Sequence, residues 1–509
     1  MRMFFTHLLK NHRVSTLMCG IVCIFGTSNV TVDWMTHRGP DGSLDKTLGK
    51  CWMMFSRLAI NDLSSNGMQP FRSGDNMLVC NGEIYNHLEF EPESTNDCTC
   101  LIPLIEKHGI HEASKMIRGV FAICYTDGER LYATRDPLGV RPLFYTRFEQ
   151  GKMALASEAK ALLSFGTKVE IFPPGHSYDS ETDQFTCWYP CIWDHTSEPS
   201  DEKEIRSKFE EAVRIRVENT DRSVGFLLSG GLDSSLVAAL GKKYLGTKIK
   251  TFSVGTSIES PDIKAARVMA EFLDSEHHEL IFDPVNDGIP VIEKVIKSLE
   301  SYDTTTVRAS VPMWLLAKYI SEKTDCKVIL SGEGSDELFG GYLYFHYAPN
   351  TLDFAKECER RLRLIHQFDG LRADRCMAAH GLELRVPFLD KEFVELGMTI
   401  DQSLKVPGNR MEKWVLREAF EGVLPHEILW RQKNGMSDAV GYNWVDTVKD
   451  FAEKVTHCDE GRTKEETMYH DIFAKHYKNC DHLISEIWRP RWTDVLDPSA
   501  RQLSVFSTA

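Results

Sequence analysis

The sequence predicts a protein of two domains, mixed α/β and α+β, with an antiparallel, strand-rich N-terminal half under helices and a C-terminal half built on a parallel sheet. Three observations carry that expectation. Residues 19–188 break into short apolar or alternating segments punctuated by Gly, Asp, Asn and Pro. Beyond a charged, Ser- and Pro-containing stretch at 194–204, which reads as a linker, strand patterns alternate with helical ones, the signature of βαβ crossovers. The apolar run 224–228 then opens directly into SGGLDSS at 229–235, a glycine turn between a strand and a helix.

In the first half the strand candidates are 21–25, 77–80, 120–125, 130–134, 143–145 and 153–156, and 101–108 has helical spacing. In the second, strands at 223–228, 250–254, 278–282 and 327–330 are interleaved with helices at 234–244, 261–273 and 285–301. After residue 389 the chain reads as mainly helical, as at 413–421. The division that follows is 1–18 as a leader or misplaced start, 19–190 and 205–450 as the two domains, and 451–509 as a helical extension.

At 509 residues, with 42% hydrophobic and 26% charged, the chain supports two or three full cores. No apolar run approaches the ~20 residues that span a bilayer, which excludes the membrane as a home. A formal charge of −15, with Lys and Arg dispersed among acids, argues against general nucleic-acid binding, which needs a basic surface. Fourteen cysteines without paired CxxC spacing read as reduced thiols of a cytoplasmic protein. Cys98 with Cys100, and Cys187 with Cys191, come nearest to zinc-ligand pairs and lack matching partners. Residues 1–18, MRMFFTHLLKNHRVSTLM, contain Arg2, Lys10 and Arg13 and no acid, and read as a targeting peptide or as an extension ahead of a true start at Met18.

The chemistry is concentrated in two loops. In SGGLDSS the glycines let backbone N–H groups approach an anion, and Ser234 and Ser235 open a helix whose N-terminus favours negative charge. Where a GxxxxGK[ST] loop has lysine this one has Asp233, which points to a grip on pyrophosphate with a metal ion. A second loop, SGEGSDELFGG at 331–341, also emerges from a strand end, where parallel sheets bind ligands. Taken singly, each feature has a plain structural reading. SGGLDSS is also a strand-turn-helix corner, and Glu333 and Asp336 are also helix N-terminal acids. Asn81-Gly82 is also a hairpin turn, Arg57 a surface ion pair, and Cys19 a small buried residue.

The ordered set of motifs decides between these readings. MCGIVCIFG at 18–26, HRGPDG at 37–42, RLAI at 57–60, NGEIYN at 81–86, the two loops, VPFLD at 386–390 and WRQK at 430–433 resemble the glutamine-hydrolysing asparagine synthetases. RDPLGVRPLFY at 135–145 and SEAKAL at 157–162 match interdomain parts of that pattern. The resemblance implies an N-terminal Ntn-type glutaminase, an αββα sandwich, and a C-terminal adenine nucleotide α-hydrolase-like parallel sheet with helices on both faces.

By the same resemblance Cys19 is the nucleophile, which needs a free α-amine as its base and therefore the first position of the mature chain. Asn81 and the Gly82 N–H are the oxyanion donors, and Arg57, Leu58, Glu83 and Asp97 bind glutamine, Asp97 at the α-ammonium. In the second domain the substrates are ATP and aspartate, joined as β-aspartyl-AMP. Ser229, Gly230, Gly231, Asp233, Ser234, Ser235, Ser331 and Gly332 hold ATP, and Leu228 and Val254 flank its adenosine. Asp233 and Asp336 hold Mg²⁺, Glu333 takes a proton from attacking ammonia, and Lys433 balances phosphate charge. Thr305 and Arg308 lie beside the substrate, an ammonia tunnel joins the two sites, and the chain is a homodimer.

Three features depart from the family pattern. Cys19 is internal, the segments 43–50 and 87–96 look short, and position 61 is Asn where an apolar residue is common. The first leaves open an ammonia-dependent enzyme in which residues 1–18 silence Cys19. A β-lactam synthetase-like relative is disfavoured by Cys19 and Glu333 together, and a non-catalytic nucleotide-binding scaffold by the intact set Asp233, Glu333, Asp336 and Lys433.

Overall fold

The computed structural model describes residues 19–27, 35, 37–149, 151–193, 201–432, 440–457 and 462–505. The expected leader at 1–18, part of the expected linker and Lys433 lie outside them. Among the described residues no helix is long and apolar enough to cross a membrane.

Twelve strands build the N-terminal domain. They are β1 (Gly20–Phe25), β2 (Gly42–Leu48), β3 (Cys51–Arg57), β4 (Phe71–Ser73), β5 (Asn76–Ile84), β6 (Gly119–Thr126), β7 (Leu131–Arg135), β8 (Phe144–Arg147), β9 (Met153–Ala156), β10 (Val169–Ile171), β11 (His176–Asp179) and β12 (Gln184–Cys187). One sheet has the order β10-β8-β9-β1-β3-β2 and the other β12-β11-β7-β6-β5-β4, with antiparallel pairing in both. The sheets pack face to face: Ile21, Cys23, Met53 and Phe55 from the first share an apolar core with Met77, Val79, Ala122 and Cys124 from the second. Side chains alternate along a strand, so the opposite face of the second sheet presents Leu78, Cys80 and Ile123 to helix α1 (Leu101–Met116). On the opposite face of the first sheet, Val22, Ile24 and Met54 join the core of the second domain. Burial on both faces is why β1 reads as a continuous apolar run.

The second domain contains α2 (Glu202–Glu218), β13 (Val224–Leu227), α3 (Leu232–Leu245), β14 (Lys250–Gly255), α4 (Pro261–Phe272), β15 (Glu276–Ile281), α5 (Ile292–Leu299), α6 (Thr304–Lys323), β16 (Val328–Leu330), α7 (Thr351–Leu364), α8 (Asp369–Ala378), β17 (Glu383–Arg385), α9 (Lys391–Thr399), α10 (Tyr442–Val455) and α11 (Lys464–His476). Its five strands are all parallel in the order β15-β14-β13-β16-β17. The strand order reverses between β13 and β16, the position at which open parallel sheets form their ligand crevice. SGGLDSS follows β13 and SGEGSDELFGG follows β16, so both loops open at that crevice.

Several boundaries differ from the expectation for local reasons. The expected linker ends early because Asp201 caps α2, its side chain accepting from the Lys203 N–H. The helix expected at 285–301 is regular only from Ile292; the tight turns Pro284–Gly288 and Ile289–Val291 precede it, each with a proline near its start. The helix expected at 413–421 is the short Trp414–Ala419. The extension expected to be helical is so only through His476; beyond it the described chain is irregular apart from the short turns Asp481–Leu483 and Ala500–Gln502.

Candidate functional site

In the N-terminal domain Cys19 lies immediately before β1, clasped by the backbone at the end of β3. Its thiol donates to the Leu58 carbonyl oxygen at 3.3 Å and lies 3.2 Å from the Leu58 nitrogen. Burial pushes this thiol up to about 12, against the pull of the Leu58 contact. The antiparallel strand β5 delivers Asn81, Gly82 and Glu83 to the same end. Asn81 Nδ2 donates to Ser157 Oγ at 3.4 Å, and Ser157 Oγ accepts the Ile21 N–H at 3.1 Å, so Ser157 ties Asn81 to the strand behind Cys19.

The expected glutamine contacts are all buried. Arg57 turns its guanidinium into the 61–64 loop, donating to the Ser64 carbonyl at 2.5 Å and to that of Asp62. Glu83 Oε2 accepts from Asn61 Nδ2 at 2.8 Å, Asn219 Nδ2 at 3.2 Å and Arg385 Nη2 at 2.8 Å. Asn61, the departure from the family pattern, is thereby a ligand of Glu83. Burial and the neighbouring Glu383 push the Glu83 carboxyl well up, opposed by Arg385. Asp97 Oδ2 accepts the Ile84 N–H at 2.7 Å, and burial raises its carboxyl. The two segments expected to be short are the β2–β3 hairpin and the single helical turn His87–Phe90 with the loop that leads to Asp97.

Arginines and acids bind the domains together without exposure to water. Arg38 Nε donates to the Cys19 carbonyl at 3.0 Å, while its Nη1 pairs with Glu158 at 2.9 Å and its Nη2 with Asp374 at 3.0 Å. Arg375 pairs with Glu158 at 2.9 Å and Glu300 at 2.8 Å, and Arg141 with Glu383 at 3.1 Å. Each of these arginines is fully buried, where only pairing makes charge tolerable.

In the second domain a cavity of about 200 Å³ opens at the crevice between β13 and β16. Leu228 and Val254 form part of one wall; Ser229, Asp233, Ser234, Ser331, Gly332, Glu333 and Asp336 line it, as does Thr305. Gly231 lines a smaller adjoining hollow with Lys413 and Arg431. Gly230 and Ser235 lie behind the loop. Gly230 has φ +67°, and a Cβ there would lie 2.2 Å from the Ala265 carbonyl carbon, so the turn requires glycine. At Gly332 a Cβ would lie 2.6 Å from Asp233 Cβ, so a glycine also permits the two loops to meet.

Lys413, which sequence reasoning passed over, reaches both acids of the loops. Its Nζ lies 2.6 Å from Asp233 Oδ2 and 2.6 Å from Asp336 Oδ1. The two carboxylates thus share one cation, the Lys413 ammonium, and as paired oxygen donors on facing loops they are also of the kind that holds a Mg²⁺ shared with substrate phosphates. Ser335 Oγ donates to Asp233 Oδ1 at 2.7 Å and fixes that acid. Arg431 also went unnoticed; it donates to the Ser229 carbonyl at 3.2 Å and pairs with Asp262 at 3.0 Å. Lys413 is a lone cation in a segment with no other chemical signal, whereas Arg431 lies inside the WRQK motif, where only Lys433 was given a role.

Arg308 is placed elsewhere than expected. Its guanidinium is buried against Glu465 and pairs with Asp497 at 2.9 Å, and it is not among the residues lining the cavity. It anchors the C-terminal segment, from which Trp488, Pro490, Pro498 and Leu503 complete the cavity wall. The Trp488 N–H donates to Asp303 at 2.6 Å, the N-cap acid of α6.

Comparison with known proteins agrees with this geometry. The glutamine amidotransferase domain family matches residues 18–175, and the asparagine synthase family matches 204–357 and 348–501. The asparagine synthetase [glutamine-hydrolyzing] of Asparagus officinalis is 40% identical over 550 positions, covering 95% of this chain and 92% of that one. That span exceeds the 509 residues here, so the relative has segments without counterparts in this chain. The Gallus gallus protein of the same name is 39% identical, covering 97% of this chain and 100% of its own. The probable asparagine synthetase [glutamine-hydrolyzing] of Acanthamoeba polyphaga mimivirus is also 39% identical, over 96% and 100%. With both domains matched and the identity spanning nearly the whole length, the chain belongs to the glutamine-hydrolysing asparagine synthetase family.

Proposed function

We propose that the protein makes L-asparagine from L-aspartate, using ATP and the amide nitrogen of glutamine, and releases AMP, pyrophosphate and glutamate. The observation that carries this reading is the convergence of SGGLDSS, SGEGSDELFGG and Lys413 on one crevice that also holds Glu333. A carboxylate is a poor electrophile, and transferring AMP to the aspartate β-carboxylate gives it a leaving group. Leu228 and Val254 would flank adenosine, while Ser229, Gly231, Ser234, Ser331 and Gly332 would hold the phosphates through backbone N–H and hydroxyl groups, with Gly230 and Ser235 supporting the loop from behind. Asp233 and Asp336 would hold Mg²⁺, which when bound neutralises phosphate charge. Lys413, and Lys433 by resemblance, would meet the same phosphates. Thr305 lies at the aspartate side, and Glu333 would accept the proton that ammonia sheds. Arg308 would act on that side only through the segment it anchors.

In the other domain Cys19 would attack glutamine, with Asn81 and the Gly82 N–H receiving the oxyanion, and Arg57, Leu58, Glu83 and Asp97 shaping the glutamine site. Burial holds the Cys19 thiol above its ordinary range, so it is protonated at rest and needs a base to become the nucleophile. The α-amine of Cys19 serves that role when Cys19 is the first residue. We divide the chain into a glutaminase domain at 19–190, a synthetase domain at 205–450 and the extension 451–509, and place it in the cytoplasm as a homodimer. Unpaired thiols among the described cysteines favour that compartment.

The test is aspartate-dependent release of pyrophosphate from ATP. Its absence with either nitrogen donor would overturn the synthetase reading. Cys19→Ala is expected to abolish glutamine-dependent synthesis and to retain synthesis from ammonium. A chain shown to retain residues 1–18 is expected to use ammonium alone.

A further inference from the structure

Helix α8 is held rigidly between the two domains. Near its middle Asp374 is gripped by Arg38 at 3.0 Å and Arg141 at 3.5 Å, and Arg375 by Glu158 at 2.9 Å and Glu300 at 2.8 Å. In the turn before them Asp369 and Arg372 line the synthetase cavity. From this pinned helix Arg372 Nη2 donates to Glu333 Oε2 at 2.7 Å, and its Nη1 pairs with Asp369 Oδ1 at 2.5 Å. Arg372 is 5% exposed, and its guanidinium therefore has little freedom to turn away. Tyr342 closes the same corner, its hydroxyl 2.9 Å from Asp369 Oδ2 and 2.5 Å from Glu337 Oε1.

Glu333 shares the cavity lining with Asp233, Asp336 and Asp369. Lys413 is engaged by Asp233 and Asp336. A guanidinium fixed at hydrogen-bond distance sets the direction in which a carboxylate points. We propose that Arg372 is a positioning residue for the amide-forming step, holding the Glu333 carboxylate aimed at the point where ammonia attacks. The inference rests on Glu333 being the proton acceptor. In that step the ammonia nitrogen bonds to the aspartyl β-carbonyl carbon, one of its protons passes to Glu333, and the C–O bond to AMP breaks with its electron pair leaving on the AMP phosphate. Arg372 neither gives nor takes a proton.

The experiment compares Arg372→Gln, Arg372→Lys and Glu333→Gln in the full chain, each assayed twice. Exchange of labelled pyrophosphate into ATP in the presence of aspartate reads adenylation, and asparagine formed from ammonium reads the amide step. Arg372→Gln is expected to keep exchange within about threefold while asparagine formation falls at least thirtyfold, and Arg372→Lys, which keeps the charge without the fork, to recover part of the loss. A parallel loss of both activities in Arg372→Gln and Arg372→Lys would overturn the inference by making Arg372 structural or substrate-binding, as would unchanged asparagine formation. If Glu333→Gln makes asparagine at the wild-type rate, the proton-acceptor reading itself fails. If Glu333→Gln is inactive in the amide step and Arg372→Gln is normal, only the inference about Arg372 fails.

Discussion

Arg385, at the end of β17, donates from Nη2 to Glu83 Oε2 at 2.8 Å, so the edge strand of the parallel sheet reaches across the domain boundary to an acid of the glutaminase site. The same guanidinium pairs with Glu383 at 2.8 Å and donates to the Arg216 and Asn219 carbonyls. Orientation of the two domains and shape of the glutamine site are therefore one structural problem.

Arg385→Leu leaves Glu83 buried without its cation and Glu383 with Arg141 alone, which costs about 3–5 kcal/mol for a broken buried pair. The expected outcome is a large drop in thermal midpoint with glutaminase activity reduced more than pyrophosphate exchange. Adding Glu83→Gln to Arg385→Leu is expected to return part of the stability, and strict additivity of the two in a double-mutant cycle would contradict the pairing.

Acid should loosen the domain interface. Burial raises Asp390, but Arg216 and Arg118 outweigh it and hold the carboxyl below its ordinary value. Glu158 is likewise buried, and His37, Lys160 and Arg375 hold it well below. Both folded-state values are depressed, so their stabilisation is present above the unfolded value of about 4 and is lost as pH falls through the folded-state values. The thermal midpoint is expected to fall steeply below about pH 4, and Asp390→Asn to lower it at pH 7 while flattening the acid dependence. Parallel curves for the two proteins would count against this assignment.

Lys413→Met removes the cation between Asp233 and Asp336 and leaves two carboxylates repelling each other. Pyrophosphate exchange is expected to fall by about 10²–10³, the range for removing one transition-state charge contact, with glutamine hydrolysis changed less than twofold. Normal exchange in this variant would remove Lys413 from the phosphate site.

Asn61→Leu restores an apolar residue at the position and deletes one donor to Glu83. A lost hydrogen bond of about 1 kcal/mol corresponds to roughly a fivefold rise in the KM for glutamine, with ammonium-dependent synthesis unaffected. An unchanged KM would mean that Arg385 and Asn219 hold Glu83 adequately by themselves.

The parts of the site that were legible in the sequence are those whose chemistry is local. Asp233 and Asp336 stand out because each sits in a glycine loop after an apolar strand, and parallel-sheet geometry brings the two loops together. The roles of Lys413, Arg372 and Arg38 were not legible, because the acids that define them lie far away in sequence: Asp233 is 180 positions from Lys413, Glu333 is 39 from Arg372 and Asp374 is 336 from Arg38. The Arg308 motif was legible as a motif, but its side chain follows the acids Glu465 and Asp497 of a segment with no pattern of its own. Strand β2 went unmarked because its polar run is largely exposed and is stabilised by its pairing with β3.

Nitrogen released at Cys19 is expected to be consumed at Glu333 in the same molecule. Protein isolated from its native cell, given aspartate, ATP and [amide-¹⁵N]glutamine with unlabelled ammonium present, tests it by mass spectrometry of the asparagine formed. The account predicts ¹⁵N-asparagine matched by AMP release, with enrichment well above that of the free ammonium pool. Unlabelled asparagine alone, or asparagine carrying only the pool's enrichment, would contradict it.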